Sequence, residues 1–501
     1  MGGPEVADDT LVTALAGGDR AALVVPDDDV TLTYAQLAAA VEETAAALRA
    51  LGVGRGDRVA FALPGGPEII EVLLAVASLG AGAAPLNPAY AQSEFAFYLE
   101  DLRPRLLVLP RGDLAPARAA AGEQVPVADL VVRPSQAPAF EGAARAAATT
   151  EAAQPDDVAL LLHTSGTTSR PKQVPLSHRN LLASARSIVR HYGLGPEDVS
   201  YCAMPLFHVH GIVASTLAPL VSGGTVVAPR RVAPSRFWPA LGKARVTWYS
   251  ASPTFHEMLL DGAPDDVPEG ARLRFVRSCS AAIRPALAER LEGYLGVPML
   301  EAYGMTEASH EMAANPLPPA RRVPGSVGIP TGTEIDIVDE AGASLPPGEP
   351  GEVVIRGPGV MAGYVGDPEA NTRAFFGEWF RTGDQGVLED GYLRLVGRLK
   401  EIIIRGGENI SPLEVEDVLL DHPGVAQAVV YGIPDDRYGQ VVGAAVVLAD
   451  PAVDEDALRR HCRERVAAFK VPVVVHVVDA IPRTPTGKVQ RPRMAQHFGE
   501  A

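Results

Sequence analysis

The most informative segment of the sequence lies at residues 161–172 and reads LLHTSGTTSRPK. An apolar segment at residues 158–162 leads into a loop that holds hydroxyl side chains, one glycine and two cations. Backbone N–H groups, hydroxyls and a lysine ammonium are the groups that bind a polyphosphate. The spacing is not that of a Walker A motif, because neither GxxxxGKS nor GxxxxGKT is present. On its own the loop fits a phosphate-binding site and a Ser/Thr-rich surface loop about equally well.

On either side of this loop, the first 400 residues alternate helical and extended patterns, which is typical of α/β proteins. Upstream, Thr33 and Gln36 have the spacing of a capping box and predict the start of a helix. Downstream, Ser411 with a proline next and Glu414 three residues later predicts another helix start. The pattern there shifts to a β-rich unit of about 100 residues, which is large enough for its own core. The sequence therefore predicts a domain boundary near Lys400.

The composition excludes several classes of protein. Of the 501 residues, 47% are apolar and 21% are charged, which rules out wholesale disorder. Lys and Arg number 44 against 61 Asp and Glu, and the resulting charge of -17 argues against a nucleic-acid partner. Three scattered cysteines are too few for a disulfide framework or a metal cluster, and they fit a reducing compartment.

Neither a leader nor a membrane span is predicted. Residues 1–10 carry three acidic side chains and no apolar core, unlike a signal peptide. The longest nearly uncharged apolar run, residues 72–86, is too short to cross a bilayer. We therefore expect a cytoplasmic protein.

Four later motifs carry chemistry of their own. Residues 301–307 (EAYGMTE) offer an aromatic face, a hydroxyl and a carboxylate, which suit an adenine, a phosphate and Mg²⁺. Residues 380–384 (FRTGD) place a carboxylate at a turn, where it can accept hydrogen bonds from both hydroxyls of a ribose. Residues 397–401 (GRLKE) lie at the predicted boundary, and residues 482–488 (PRTPTGK) present a lysine from a turn. Each motif alone also fits a capped turn or a solvated charge.

Together and in this order, the five motifs resemble the adenylate-forming superfamily of acyl-CoA synthetases, beetle luciferases and peptide-synthetase adenylation domains. The resemblance covers residues 32–488 and implies a large N-terminal domain of packed α/β layers, residues 1–399, and a small mobile α+β lid, residues 400–501, with the hinge at Lys400. It also implies two half-reactions. A carboxylate attacks the α-phosphate of MgATP to give an acyl-adenylate and pyrophosphate. The lid then rotates, and the thiol of CoA attacks the adenylate and releases AMP.

The resemblance assigns site residues one by one. Thr306 matches the α-phosphate contact, Glu307 the magnesium carboxylate, and Gly406 and Gly407 the loop along the pantetheine path. Lys488 matches the lysine that bridges the acid and ATP, where a placed ammonium offsets the repulsion of two anions. The residues matched to the binding of ATP or AMP are Thr164, Ser165, Gly166, Thr167, Thr168, Lys172, Ser280, Glu301, Ala302, Tyr303, Asp384 and Arg398.

Local strings resemble one branch of the superfamily, the oxalate–CoA ligases. The strings lie at residues 165–172, 277–281, 301–312 and 467–472. In this resemblance Ser280 and His310 line the acid pocket, together with His208, which matches a histidine beside the acyl and pantetheine channel. A buried carboxylate needs hydrogen-bond donors, and a protonated His310 is the expected counter-charge. His210 receives no role.

Three positions depart from the relatives. Gln173 stands where glycine usually follows the Pro-Lys pair, which predicts a stiffer phosphate loop. Gly304 stands where the oxalate branch often has alanine. Ala302 stands where malonate ligases carry arginine, which argues against malonate.

Three alternatives to an oxalate–CoA ligase stay open. A ligase for medium-chain or aromatic acids shares every adenylation residue and differs only in its acid pocket. An amino-acid adenylating enzyme that loads a carrier protein needs an acidic residue ahead of the helix at Phe255, where the chain has residues 250–254 (SASPT) instead. A non-enzymatic nucleotide-binding protein needs neither Glu307 nor Lys488.

Overall fold

A computed structural model describes residues 9–15, 17–133, 137–141, 151–164, 171–483 and 489–498. The chain divides into two compact units. The main segments of the first unit are Met1–Thr164, Lys172–Ile335 and Ile355–Glu378, and those of the second are Asp336–Val354 and Trp379–Ala501. The predicted boundary at residues 399 and 400 and the hinge at Lys400 stay predictions, because a division by packing does not locate a hinge.

The helices begin and end where local sequence signals place them. Thr33 accepts a hydrogen bond from Gln36 N while the Gln36 side chain accepts one from Thr33 N, so the predicted capping box is confirmed. Ser411 caps its helix as predicted, through the backbone N–H of Glu414. The helices are α1 (Tyr34–Ala50), α2 (Pro67–Ser78), α3 (Gln92–Leu102), α4 (Ala115–Ala121), α5 (His178–Tyr192), α6 (Ala218–Val221), α7 (Pro234–Lys243), α8 (Pro253–Asp261), α9 (Pro285–Leu295), α10 (Pro368–Ala374), α11 (Pro412–Leu420), α12 (Glu455–Arg463) and α13 (Arg491–Phe498).

The strands follow the apolar runs of the sequence. They are β1 (Ala21–Val25), β2 (Val30–Thr33), β3 (Arg58–Phe61), β4 (Gly82–Pro85), β5 (Leu106–Pro110), β6 (Val127–Val131), β7 (Ala139–Glu141), β8 (Val158–His163), β9 (Gln173–Ser177), β10 (Val199–Cys202), β11 (Thr225–Val227), β12 (Trp248–Ala251), β13 (Phe275–Ser278), β14 (Met299–Met305), β15 (His310–Ala314), β16 (Ile329–Pro330), β17 (Glu334–Val338), β18 (Gly351–Arg356), β19 (Phe375–Phe376), β20 (Trp379–Glu389), β21 (Tyr392–Arg398), β22 (Ile403–Arg405), β23 (Glu408–Ile410), β24 (Val425–Asp435), β25 (Gly439–Leu448) and β26 (Val474–Val477).

The first unit contains two largely parallel sheets, as expected for an α/β fold. Among the described residues, one sheet has the strand order β16-β15-β14-β13-β12-β10-β11-β1-β2, and the other has the order β7-β6-β5-β3-β4-β8-β9. Central strands of the first sheet pack their apolar side chains against α7, α8 and α9 around Tyr201, Phe237, Tyr249 and Val276, all fully buried. This packing fixes the strand ends that carry the polar site described below.

The second unit has its own core. There, β22, β23, β24, β25 and β26 form one sheet, with α11 and α12 against it around Val415, Leu419, Val442 and Leu458. Within the described part of the chain, no helix combines the length and the apolar character needed to cross a membrane.

Candidate active site

The ends of neighbouring strands bring polar residues together in the first unit. β12 and β13 run parallel, with Ser250 opposite Arg277. β14 lies beside β13, and β15 folds back antiparallel onto β14 and places His310 opposite Met305. The carboxyl ends of parallel strands meet at one edge of a sheet, and ligands of open α/β sheets bind at such edges.

Arg277 lies at the centre of this cluster and is fully buried. Its Nη1 donates hydrogen bonds to Ser250 Oγ at 2.8 Å and to His310 Nε2 at 3.0 Å. Its Nη2 donates to Glu311 Oε2 at 2.8 Å, and both partners of this ion pair are fully buried. A buried arginine without such partners would be strongly destabilising, so these acceptors hold the guanidinium in one place.

His210 extends the network towards the surface. It opens a π-helix, His210–Leu217, and its Nε2 lies 2.6 Å from Ser250 Oγ. Its Nδ1 lies 2.9 Å from the hydroxyl of Ser280, which is an exposed residue. The imidazole rings of His210 and His310 stack with centroids 4.8 Å apart. Arg277, Ser250, His210 and Ser280 therefore form one continuous chain of hydrogen bonds.

The expectation of a protonated His310 is wrong. Burial holds the pKa of His310 well below its ordinary value, and the positive charge of Arg277 lowers it further. The same two causes hold down the pKa of His210. Because Arg277 also occupies His310 Nε2 as a donor, the cation of this cluster is the arginine and both rings are neutral.

Sequence reasoning missed Arg277 and His210 as members of this site. The signal for Arg277 was its place as the one charged residue of a buried strand, Phe275–Ser278, because such a residue needs partners. His210 gave no comparable signal, since a single histidine in an apolar segment is usually structural.

Unusual backbone conformations aim the side chains of this cluster. Ser280, Ser309 and His310 have φ values of 77°, 53° and 99°, in the region that favours glycine. A Cβ on Gly304 would lie 1.8 Å from the carbonyl oxygen of His310, so the chain needs glycine where the oxalate branch often has alanine. The departure at Gly304 thus has a local physical reason.

A second group of predicted residues meets beside the first. The hydroxyl of Tyr364 donates to Glu307 Oε1 at 2.9 Å, and the ammonium of Lys172 lies 4.5 Å from the centre of the Tyr364 ring. Glu307 and Thr306 share a 3-10 turn, Thr306–Ala308, which joins β14 to β15. The structure thus brings a lysine, a hydroxyl and a buried carboxylate together, as a phosphate and cation site requires.

The rest of the EAYGMTE motif lies on β14. Ala302 and Tyr303 are buried. Glu301 accepts a hydrogen bond from Gly325 N at 2.8 Å, and burial raises the pKa of Glu301 to about 7. Glu301 is therefore held by the backbone of a neighbouring loop.

The two stems of the phosphate loop are tied to each other. Thr164 N donates to Lys172 O at 2.9 Å, and Lys172 N donates to Thr164 Oγ1 at 3.0 Å. The predicted phosphate contacts Ser165, Gly166, Thr167 and Thr168 lie outside the described residues, as does Lys488.

Gln173 fastens these stems to the adjacent helix. Its Nε2 donates to Asp101 Oδ2 at 2.7 Å, and His163, directly opposite on β8, bonds the same oxygen at 3.0 Å. Arg58 Nη1 donates to Gln173 Oε1 at 3.2 Å. The amide thus makes contacts that glycine cannot make, while the stiffness of the loop stays a prediction.

His208 lies two residues before His210 and is half-buried. Its ring packs against Phe207 with centroids 4.7 Å apart. His208 is thus next to the histidine cluster along the chain. Its role beside the acyl and pantetheine channel stays a prediction.

The second unit carries the remaining predicted residues. Asp384 and Arg398 lie opposite each other on β20 and β21, and Arg398 Nε is 2.7 Å from Asp384 Oδ1. Gly406 and Gly407 form an exposed turn with φ values of 60° and 92°. Lys400 lies in the 3-10 turn Leu399–Glu401.

A model of the family "AMP-binding enzyme" matches residues 12–365, and a model of the AMP-binding enzyme C-terminal domain matches residues 414–488. The chain therefore belongs to the AMP-binding enzymes, and the expected adenylate-forming superfamily and two-domain α/β fold are confirmed.

Individual relatives indicate which reaction the chain catalyses. The chain is 45% identical to the oxalate–CoA ligase of Arabidopsis thaliana over 96% of each chain. It is 38% identical to the sulfoacetate–CoA ligase of Cupriavidus necator over 99% of each. The crystal structure of ATP-bound MatB from Rhodopseudomonas palustris matches with a TM-score of 0.89 at 30% identity, over 99% of each chain. The protein is an ATP-dependent, AMP-forming acid–CoA ligase.

Proposed function

We propose that the acid this ligase activates is oxalate. The observation that carries the proposal is the chain of hydrogen bonds from buried Arg277 to exposed Ser280. Oxalate keeps a second carboxylate after adenylation, and burying that charge requires donors nearby. The similarity to an oxalate–CoA ligase supports the same acid. An aliphatic or aromatic tail would offer no acceptor to the Ser280 hydroxyl at the exposed end of this chain.

The adenylation half-reaction follows from the predicted residues. Lys172 and the loop at residues 164–172 bind the phosphates, and Thr306 contacts the α-phosphate. Glu301, Ala302 and Tyr303 border the adenine, and Asp384 with Arg398 holds the ribose. Lys488 bridges the acid and ATP and stabilises the charge that develops in the transition state.

Glu307 is the residue that fits a magnesium ion. It is a buried carboxylate, and Tyr364 fixes one of its oxygens while Oε2 accepts no hydrogen bond among the described residues. Oxygen ligands of this kind are those that Mg²⁺ prefers, and the ion would neutralise phosphate charge.

The thioester half-reaction uses the C-terminal domain. The domain turns about Lys400, and Gly406 and Gly407 form the loop along the path of pantetheine. His208 is assigned separately to the acyl and pantetheine channel. The small-molecule thiol CoA is the acceptor, and neither a carrier protein nor a nucleic acid is needed as a partner. ATP, CoA and reduced cysteines occur together in the cytoplasm, and we place the enzyme there.

The test is release of AMP with MgATP and CoA across oxalate, sulfoacetate, malonate, octanoate, benzoate and 4-coumarate. We expect kcat/KM to be highest for oxalate. A preference for sulfoacetate would keep the polar pocket and change the acid. A preference for octanoate, benzoate or 4-coumarate would keep the ligase chemistry and overturn the pocket assignment.

A further inference from the structure

The direction of each hydrogen bond around Arg277 can be deduced from its chemistry. A guanidinium carries N–H donors and no acceptor. His310 Nε2, at 3.0 Å from Arg277 Nη1, must therefore be the acceptor. A neutral imidazole that accepts at Nε2 carries its proton on Nδ1.

The hydrogen bonds of Ser250 have a fixed direction for the same reason. This fully buried hydroxyl accepts a hydrogen bond from Arg277 and has one proton to donate. Its partner at 2.6 Å is His210 Nε2. If that nitrogen carried a proton, the Ser250 hydroxyl proton would be buried without an acceptor, which is costly. His210 Nε2 is therefore the acceptor, and its proton also lies on Nδ1.

Ser280 is the end of this chain. His210 Nδ1–H donates to Ser280 Oγ at 2.9 Å, so the Ser280 hydroxyl proton stays available to a ligand. At the other ring, His310 Nδ1 lies close to Gly304, where an added Cβ would be 3.3 Å from the nitrogen, and His310 itself is buried. The Ser280 hydroxyl is therefore the neutral donor at the exposed end of the chain.

We propose that Arg277 is a positioning residue that holds His210 and His310 in the Nδ1–H form, so that the Ser280 hydroxyl is left to donate its proton to the second acid group of the substrate. The identity of that acid rests on the proposed function, whereas the protonation pattern does not. Glu311 neutralises Arg277, so the acid meets an oriented donor rather than an unpaired cation.

Other titratable groups also lie around this cluster. Those that face the two rings and the guanidinium are Glu311 on β15, Tyr192 on α5, Cys279 after β13, His256 on α8 and His208 before the π-helix. His256 itself has its pKa lowered to about 4 by burial. Glu311 is the one carboxylate among these described neighbours, and it is already paired with Arg277.

The first experiment reads the tautomers directly. Long-range ¹H–¹⁵N spectra of the intact, ¹⁵N-histidine-labelled chain distinguish Nδ1–H from Nε2–H imidazole, and the variants His210→Asn and His310→Asn assign the two signals. We expect both rings to be neutral and protonated at Nδ1 between pH 6 and 8. An Nε2–H ring or an imidazolium at either position would overturn the proposal, whatever acid the enzyme uses.

The second experiment links the tautomers to recognition of the acid. Arg277→Gln alone would leave Glu311 buried without its partner, so the test variant is Arg277→Gln/Glu311→Gln, which removes both charges together. We expect loss of the fixed Nδ1–H pattern and a rise of about 10- to 100-fold in KM for the preferred acid, with KM for ATP unchanged. Ser280→Ala should raise the same KM without changing the spectrum of His310. Arg284→Lys is the matched control, because its ion pair with Glu257 is half-exposed and belongs to neither ring.

The outcomes separate the two proposals. Equal changes in both KM values, or an unchanged acid KM, would reduce Arg277 to a structural residue. If the spectra show Nδ1–H rings but the enzyme prefers another acid, oxalate is ruled out as the preferred substrate and the positioning role of Arg277 is retained.

Discussion

Two arginines, one in each compact unit, pair with buried carboxylates and use their donors in different ways. Arg491 in the second unit donates to Glu401 at 3.0 Å, to the carbonyl oxygen of Val430 at 2.6 Å, and to Glu416. Arg277 in the first unit donates to one carboxylate, one hydroxyl and one imidazole.

The two networks differ in whether the acceptors can themselves donate a further hydrogen bond. The acceptors of Arg491 are carboxylates and a carbonyl, which have no proton to pass on, so the network ends there and ties α13 to α11 and β24. The acceptors of Arg277 include a hydroxyl and an imidazole, which donate again. The pairing of an arginine with a buried carboxylate therefore does not distinguish a structural role from a functional one, whereas the chemistry of its other acceptors does.

The largest effect in this comparison is expected for a third cation, Lys488, because it is assigned to the reacting atoms themselves. Lys488→Ala should slow adenylate formation by about 10²- to 10³-fold, the usual effect of losing one group that stabilises transition-state charge. Thioester formation from preformed acyl-adenylate should change much less. Pyrophosphate release and thioester formation measure the two steps, with Lys243→Ala, which removes an exposed ion pair with Asp29, as control. Equal loss in both steps would contradict the two-step assignment.

The comparison itself is tested by removing each arginine. Arg277→Ala and Arg491→Ala each leave a buried carboxylate unpaired and should lower the free energy of unfolding by about 3 kcal/mol. Urea unfolding measures this change. Only the Arg277 variant should also alter the ratio of kcat/KM between oxalate and the other acids, since Arg491 ends in a closed network. A changed acid preference in the Arg491 variant would break the distinction.

A buried carboxylate without an arginine of its own sharpens the comparison. Glu71 is buried on α2, and Arg230 pairs with Glu68 instead. Burial first, and the negative charge of Glu68 second, raise the pKa of Glu71 to about 8. Its folded pKa therefore exceeds its unfolded pKa, so its contribution to stability is present below about pH 4.5 and is lost as the pH rises to 8.

Glu71→Gln should remove this pH dependence. The variant should become more stable than the parent by about 4 kcal/mol at pH 8 and by about 1 kcal/mol at pH 5. Urea unfolding at the two pH values measures the difference, and Glu42→Gln on the exposed face of α1 is the control. A constant difference across this range would show that Glu71 ionises normally.

The smallest expected effect concerns neutral hydrogen bonds. Gln173→Gly removes the amide that joins Asp101 and Arg58 at the stems of the phosphate loop. We expect KM for ATP to rise by about 2- to 10-fold with kcat for the acid nearly unchanged, in line with the loss of a neutral hydrogen bond. Steady-state kinetics with varied ATP measures this. A lower melting temperature with unchanged KM would assign Gln173 to the fold alone.

Much of the fold could be predicted because its signals are local. The capping boxes and the alternation of apolar strands and helices depend on neighbours within a few residues, and the structure confirms the starts at Thr33 and Ser411. The extent of the second unit was not visible, because residues 336–354 join it by contacts far apart in sequence.

The site could be predicted only in part for a similar reason. Glu307, Thr306 and Lys172 belong to motifs whose spacing carries chemistry, and Glu307 and Lys172 meet at Tyr364. Arg277 and His210 are 67 positions apart in sequence and meet through Ser250, so no local pattern joins them. The charge of His310 was predicted wrongly because a protonation state depends on burial and on neighbours that the sequence does not place.

The close approach of Gly304 to His310 limits how this enzyme can be redesigned. Any side chain at position 304 would collide with the His310 carbonyl, so replacing this glycine moves the histidine as well. Substitutions at the two positions should therefore be non-additive. A library that varies both together would sample new acid specificities, whereas single-site libraries would mostly yield misfolded pockets.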